Sequence, residues 1–263
     1  MKISDIIHYP VKSLAGNHLE KSEVHERGLK DDRRLMLIDE NNNFVSQRAF
    51  PYLSQIEVGI TEDDLVLRDR RSNEFLHQEL KFELAKTDVT VWRSKVTSHS
   101  FLSKEADNWI TERFGKNLRF VYMDESDHRH MNPDFASEDE LVSFADGYPI
   151  LICNTASLIA LNSSMSSNIN MDHFRPNIVI DIDQAWIEDD WKRLKINDVV
   201  LRIAKPCARC KVINIDPENG EINPEVLQAL GKMRIVDNKI LFGMNAIVEK
   251  TGMIAKGDNV KIM

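Results

Sequence analysis

Apolar and polar residues along the chain fall mostly into short runs of strand length, separated by polar punctuation. RRLMLIDE (33–40) and FVSQR (44–48) flank Asn41, Asn42 and Asn43, residues suited to positive φ, which predicts a hairpin. SQIEVGI (54–60) and DLVLRD (64–69) flank a second polar turn at Thr61, Glu62 and Asp63. DVTVWR (88–93), LRFVYM (118–123), RPNIVIDI (175–182) and DVVLRIA (198–204) predict further strands, rich in β-branched residues. The closing stretch from Phe242 reads as two or three short strands joined at Gly252 and at Gly257–Asp258.

Three segments keep a helical period instead. Residues 103–114 space Ala106, Trp109, Ile110 and Phe114 on one face, with Ser103 as N-cap and Gly115 as the stop. Residues 155–165 align Leu158, Leu161 and Met165, and residues 224–230 start with Pro224 and end before Gly231. These faces are expected to pack in the core. Residues 124–139 are polar, acidic and unpatterned, which predicts a loop joining an N-terminal region, 1–123, to a C-terminal domain, 124–263. Many short strands at turn-marked intervals predict a mainly β fold with peripheral helices, barrel or sandwich in type, an α+β rather than a βαβ architecture.

A net charge of −8 disfavours a general nucleic-acid or anionic-membrane surface, because like charge repels both. No segment approaches the roughly 18–20 apolar residues of a membrane-spanning helix, and MKISDIIHYPVKS lacks the layout of a secretion signal. Three cysteines, two of them within PCARC (206–210), do not make a disulfide framework, so a cytoplasmic setting is expected.

PCARC is the most informative stretch, and three readings are open for it. Structural zinc needs a second ligand pair, whereas the chain offers only Cys153 and the pair His128 and His130. A thioredoxin-like pair should open a helix, whereas KVINID follows with a strand-like pattern. Two partly buried cysteines at a strand end are the plain alternative. Lys205, Arg209 and Lys211 crowd the thiols, and positive charge stabilises the thiolate that a metal ligand must become. Such a thiolate is a soft ligand.

Four weaker signals accompany it. YPVKS sets Lys12 and Ser13 in a turn, a suitable phosphate or carboxylate contact or simply a solvated turn. DDRRLML places Arg33 and Arg34 before an apolar strand, where alternation would send one inward and one outward. HFRPNIVI puts Arg175 and Asn177 at strand spacing, hence on one face, to hold a heterocycle or phosphate or to form a structural ion pair. FADGYPIL sets Asp146 in a Gly-containing loop before an apolar strand.

The order of these stretches carries more than any one of them. YPVKS, GLKDDRRLMLID, VSQRAFPYL, an FRPN strand, PCARC, LFG and the closing GMIAKGDNV together resemble the MOSC family with its N-terminal β-barrel region, from Met1 to Met263. The similarity extends to the branch containing amidoxime-reducing components and bacterial reductases of N-hydroxylated bases. It implies a molybdenum–pterin cofactor held through one cysteine, Cys210, with Cys207 not binding the metal. It also implies cofactor contacts at Lys12, Ser13, Arg33, Arg175, Asn177, Ala208, Arg209 and Asn245, and at Ala145 and Asp146. On this resemblance Arg33, not Arg34, is the inward arginine. Asp146 would orient substrate or relay a proton.

The implied activity is reduction of small N-hydroxylated compounds: hydroxylamines, amidoximes and N-hydroxy bases. The four ferredoxin-type cysteines that some relatives append are missing here, so electrons are expected from a separate flavoprotein or ferredoxin-type donor. Arg34 and Leu35 stand where mitochondrial relatives carry aromatic residues, which leaves substrate preference open. MOSC domains also occur fused to pyridoxal-phosphate-dependent sulfurases. That association offers the alternative of a cofactor or sulfur carrier with no reductase activity of its own.

Overall fold

The computed structural model describes every residue except Glu62, Lys81, Arg93 and Leu102. Glu62 of the second predicted turn and Arg93 of the strand over 88–93 thus lie outside the described residues. The fold is mainly β with three α-helices among the described residues. The largest sheet runs, edge to edge, Val260–Ile262, Arg193–Ile196, Val199–Ala208, Lys239–Lys250, Ile150–Asn154, Ile178–Asp181, Lys2–His8 and Asn17–His18, with Ile235–Val236 alongside Lys239–Lys250. Its pairs are antiparallel except Ile150–Asn154 with Ile178–Asp181, which α2 (Thr155–Asn162) connects. Strand pairing crosses the boundary expected at residue 124. Lys2–His8 pairs with Ile178–Asp181, and Gly252–Ala255 pairs with Lys21–His25.

The two largest clusters of buried apolar residues follow from this. Ile3, Ile6, Ile150, Ile152, Ile178, Ile180, Leu194 and Ala246 fill the inside of the large sheet. The N-terminal half builds its own core from Leu35, Leu37, Leu53, Ile56, Leu65 and Leu67, covered by Trp109 and Ile110 of α1 (Lys104–Phe114). DLVLRD alternates accordingly: Leu65, Leu67 and Asp69 are buried while Val66 and Arg68 face out.

The helices show what local pattern can settle. Ser103 accepts from the Ala106 N–H, and Gly115 closes α1 at φ 61°, as the cap rules require. The second helix stops at Asn162, short of the predicted 165. α3 (Glu225–Met233) runs through Gly231 instead of ending before it. A Cβ at that glycine would stand 3.2 Å from Ile240 Cδ1, so Gly231 serves close approach of helix to strand.

Other expectations need correcting. Asn42 takes positive φ, 59°, as the first hairpin predicts, but only a bridge between Ile38 and Phe44 forms beyond it. Ser46, Gln47 and Arg48 then leave the sheet, and Gln47 donates to the Ser13 carbonyl at 2.6 Å. KVINID is not a strand: Lys211–Asn214 form one turn of 3-10 helix after Cys210. The acidic stretch is irregular but is no loose tether, since Asp127, Arg129 and Met131 are buried.

Candidate functional site

A cavity opens where the ends of these elements meet, and it collects all eleven predicted residues. Lys12, Ser13, Arg33, Ala145, Asp146, Arg175, Asn177, Ala208, Arg209, Cys210 and Asn245 line it, together with Cys207. The strand Val199–Ala208 delivers the two thiols at its end, and both are partly exposed. Cys153 is sealed beneath the cavity, and burial pushes its thiol pKa up. Among the described residues no group of three or more His, Cys, Asp or Glu side chains converges on a point, so the zinc reading finds no ligand set.

The cations next to the thiols in sequence do not all reach the cavity that holds them. Of Lys205, Arg209 and Lys211, only Arg209 lines the cavity; Lys205 lies over the rings of Phe135 and Tyr148. Arg209 donates to Cys207 Sγ at 3.0 Å and to the Phe174 carbonyl at 2.7 Å. Arg33 and Arg175 stack on the buried Tyr9 ring, 4.4 and 4.2 Å from its centre. Arg33 also donates to Asn177 Oδ1 at 3.1 Å. Burial lowers the Arg175 pKa to about 10, which leaves it charged at neutral pH.

Neither arginine gets there by strand alternation. Arg33 (φ 51°) and Arg175 (φ 54°) both sit outside strands, in the left-handed region. Asn177 precedes its strand as well, so the shared-face argument for Arg175 and Asn177 fails although both reach the cavity. Arg34 is buried too, contrary to one-in, one-out alternation. It turns the other way, to the Met123 carbonyl and Glu125. Eleven described non-glycine residues have positive φ, and six are Asp or Asn, which tolerate it. Of the other five, Ser13, Arg33, Trp92 and Arg175 all line this cavity. Such conformations cost on the order of 1 kcal/mol each, and they concentrate at sites where function needs the direction they give.

Asp146 is tied at the mouth. Its Oδ1 accepts from Lys12 Nζ at 2.5 Å and from Trp92 Nε1 at 3.0 Å. Against the partial desolvation of its place in the cavity, the Lys12 ammonium, the Trp92 N–H and the Arg33 charge hold the Asp146 carboxyl well below the usual range. Asp146 is therefore a fixed acceptor and a poor acid at neutral pH. Burial lowers Lys12 to about 8, with Asp146 pulling the other way.

Sequence reasoning missed three supporting groups. Arg129, from the acidic stretch, donates to the carbonyls of Ser143, Ala145 and Asp146 and so shapes the loop that carries the carboxylate. Nothing local marks it; a lone Arg among acids reads as solvated. Phe44 and Trp92 form an aromatic wall, rings 5.2 Å apart, and only their exposure in the fold reveals it.

The cavity's donors suit an anionic, sulfur-rich group. Arg175 Nη2 and Arg209 Nε are buried with no hydrogen-bond partner, which is costly unless an acceptor arrives. Phosphate or pterin oxygens and nitrogens satisfy such donors, and Cys210 supplies one soft sulfur where no complete protein ligand set exists. The residues present fit a molybdenum–pterin cofactor.

Comparison with known proteins agrees in extent and order. Residues 1–117 match the MOSC N-terminal beta barrel domain and residues 139–261 match the MOSC domain. The association with a pyridoxal-phosphate domain gains no support from these matches. The chain is 29% identical to mitochondrial amidoxime reducing component 2 of Bos taurus, over 98% of this chain and 82% of that one. It is also 29% identical to mitochondrial amidoxime-reducing component 1 of Homo sapiens, over 97% and 81%. Among solved structures, the YUAD protein from Bacillus subtilis aligns over 98% of this chain and 93% of that chain at 11% identity, with a TM-score of 0.46. With both domains matched in sequence order along nearly its whole length, this chain belongs to the MOSC family, in the form that carries the N-terminal β-barrel domain.

Proposed function

We propose that the protein is a molybdenum-cofactor-dependent reductase of small N-hydroxylated compounds, fed with electrons by a separate donor protein. The observation that supports this most is the convergence of Cys210 with Lys12, Arg33, Arg175 and Arg209 in one cavity, two of those arginines holding unmet donors. The amidoxime-reducing relatives supply the substrate class.

In this reading Cys210 Sγ is the protein's ligand to molybdenum, and Lys12, Ser13, Arg33, Arg175, Asn177, Arg209 and Asn245 hold the pterin and its phosphate. When bound, the cofactor supplies two-electron chemistry, so that R–NHOH, two electrons and two protons give R–NH2 and water. Arg33 is fixed for its contact by Asn177 and by Asp32, whose carboxylate pairs with it at 2.5 Å. Lys12 Nζ holds a proton against Asp146 Oδ1, and near its pKa of about 8 it is suited to exchange that proton with substrate or water. Asp146 stays ionised and accepts hydrogen bonds from the substrate.

The test is turnover of hydroxylamine by molybdenum-loaded protein with reduced viologen dye. Reduction is expected; failure with every N-hydroxylated compound tried sinks the reading and favours a carrier. Elemental analysis and pterin fluorescence should show molybdenum lost in Cys210→Ala and kept in Cys207→Ala.

A further inference from the structure

A two-residue turn between paired strands normally takes Asn or Gly at its first position, because that position needs positive φ. Between the paired residues Val91 and Ser94 the chain instead places Trp92, at φ 57°. A bulky residue there is a local rule broken, and such breaks mark functional positions. What the fold obtains is a direction. The indole leaves the N-terminal region and lies at the cavity mouth, where 41% of Trp92 stays exposed.

Its surroundings are built. The Arg48 guanidinium lies over the indole, 4.3 Å from the ring centre, and the Phe44 ring stands at 76° to it. The indole N–H and Lys12 Nζ both donate to Asp146 Oδ1. No described group donates to Oδ2, on a carboxylate whose side chain is 78% exposed. A flat aromatic surface thus stands beside an acceptor held in place through its other oxygen. Anions are repelled by Asp146; a planar group bearing N–H fits both surfaces.

We propose that Trp92, Phe44 and Asp146 Oδ2 form a substrate subsite that takes a planar aromatic amidoxime, its ring against the indole and an N–H donated to Oδ2. This rests on the reductase reading for turnover, but the subsite can be tested by binding alone. Stacking of this kind is worth about a factor of ten.

Two measurements on molybdenum-loaded protein decide it. One is the ratio of kcat/KM for benzamidoxime to that for hydroxylamine; the other is the Kd for benzamidine, the aromatic amidine product, by calorimetry. Trp92→Ala should lower the ratio about tenfold and weaken benzamidine about tenfold, and Trp92→Phe should restore most of both. Trp92→Gly, which takes φ 57° without strain, should behave as Trp92→Ala; this separates loss of the ring from damage to the turn. Asp146→Asn should weaken benzamidine in the same way. If Trp92→Ala leaves benzamidine binding unchanged, or lowers both kcat/KM values in proportion, the subsite is overturned. If wild type reduces neither compound yet binds benzamidine through Trp92, the subsite stands and the reductase reading falls.

Discussion

Lys12 is buried beside the carboxylate it neutralises, and the two effects compete for its proton. Burial brings its pKa from 10.5 to about 8, so it is charged at neutral pH and loses that charge as pH rises through about 8. Two opposite consequences follow. Above pH 8 the cavity loses a cation, so the cofactor should be held less well. Between about 8 and 10.5 the unfolded chain binds the extra proton, so this group's cost to stability shrinks as pH rises. Molybdenum retained after dialysis should therefore fall severalfold between pH 7 and pH 9.5. In Lys12→Met retention should be low and flat across that range. Flat, high retention in both proteins would remove Lys12 from the site. At this scale the sequence named the residues but not their means. Arg33, Asn177 and Arg175 were legible as chemistry, while the left-handed backbone that aims the two arginines depends on neighbours far along the chain.

Elements carry a second kind of information, written partly in their glycines. Gly243, in the LFG stretch, has φ 73° within the strand Lys239–Lys250, and a Cβ there would stand 2.7 Å from both the Ile152 carbonyl oxygen and Cys153 Sγ. Gly243→Ala is strained by backbone and by contact, and should cost about 3 kcal/mol in urea denaturation. Ser103→Ala removes the N-cap of α1 and should cost about 1 kcal/mol. Helix starts and the alternation of DLVLRD were readable because caps and periodicity are local. The end of α3, the 3-10 turn after Cys210 and the departure of Ser46–Arg48 from the sheet were not. Two of these are set by what packs opposite: Ile240 for α3, and the Ser13 carbonyl for Gln47.

On the scale of the whole molecule the β class was evident, and the pairings were not. Strand partners are chosen by contacts distant in sequence, such as Lys2–His8 with Ile178–Asp181. That pairing supplies Ile3 and Ile6 to the core of the C-terminal half. A fragment beginning at residue 124 lacks both residues and leaves Ile178–Asp181 with an open edge. Such a fragment should be insoluble by itself, and co-expression with residues 1–123 should restore soluble protein. Soluble, cooperatively melting 124–263 would show that the crossing strand is dispensable.

The cavity wall is assembled from positions as distant as Lys12 and Asn245. No short peptide of this sequence can gather those contacts, so the receptor exists only as a finished fold, and loading comes afterwards. A ligand that grips both halves at once acts as a clasp. Its occupancy should raise the melting temperature of the entire polypeptide in one step and slow proteolysis at both ends together.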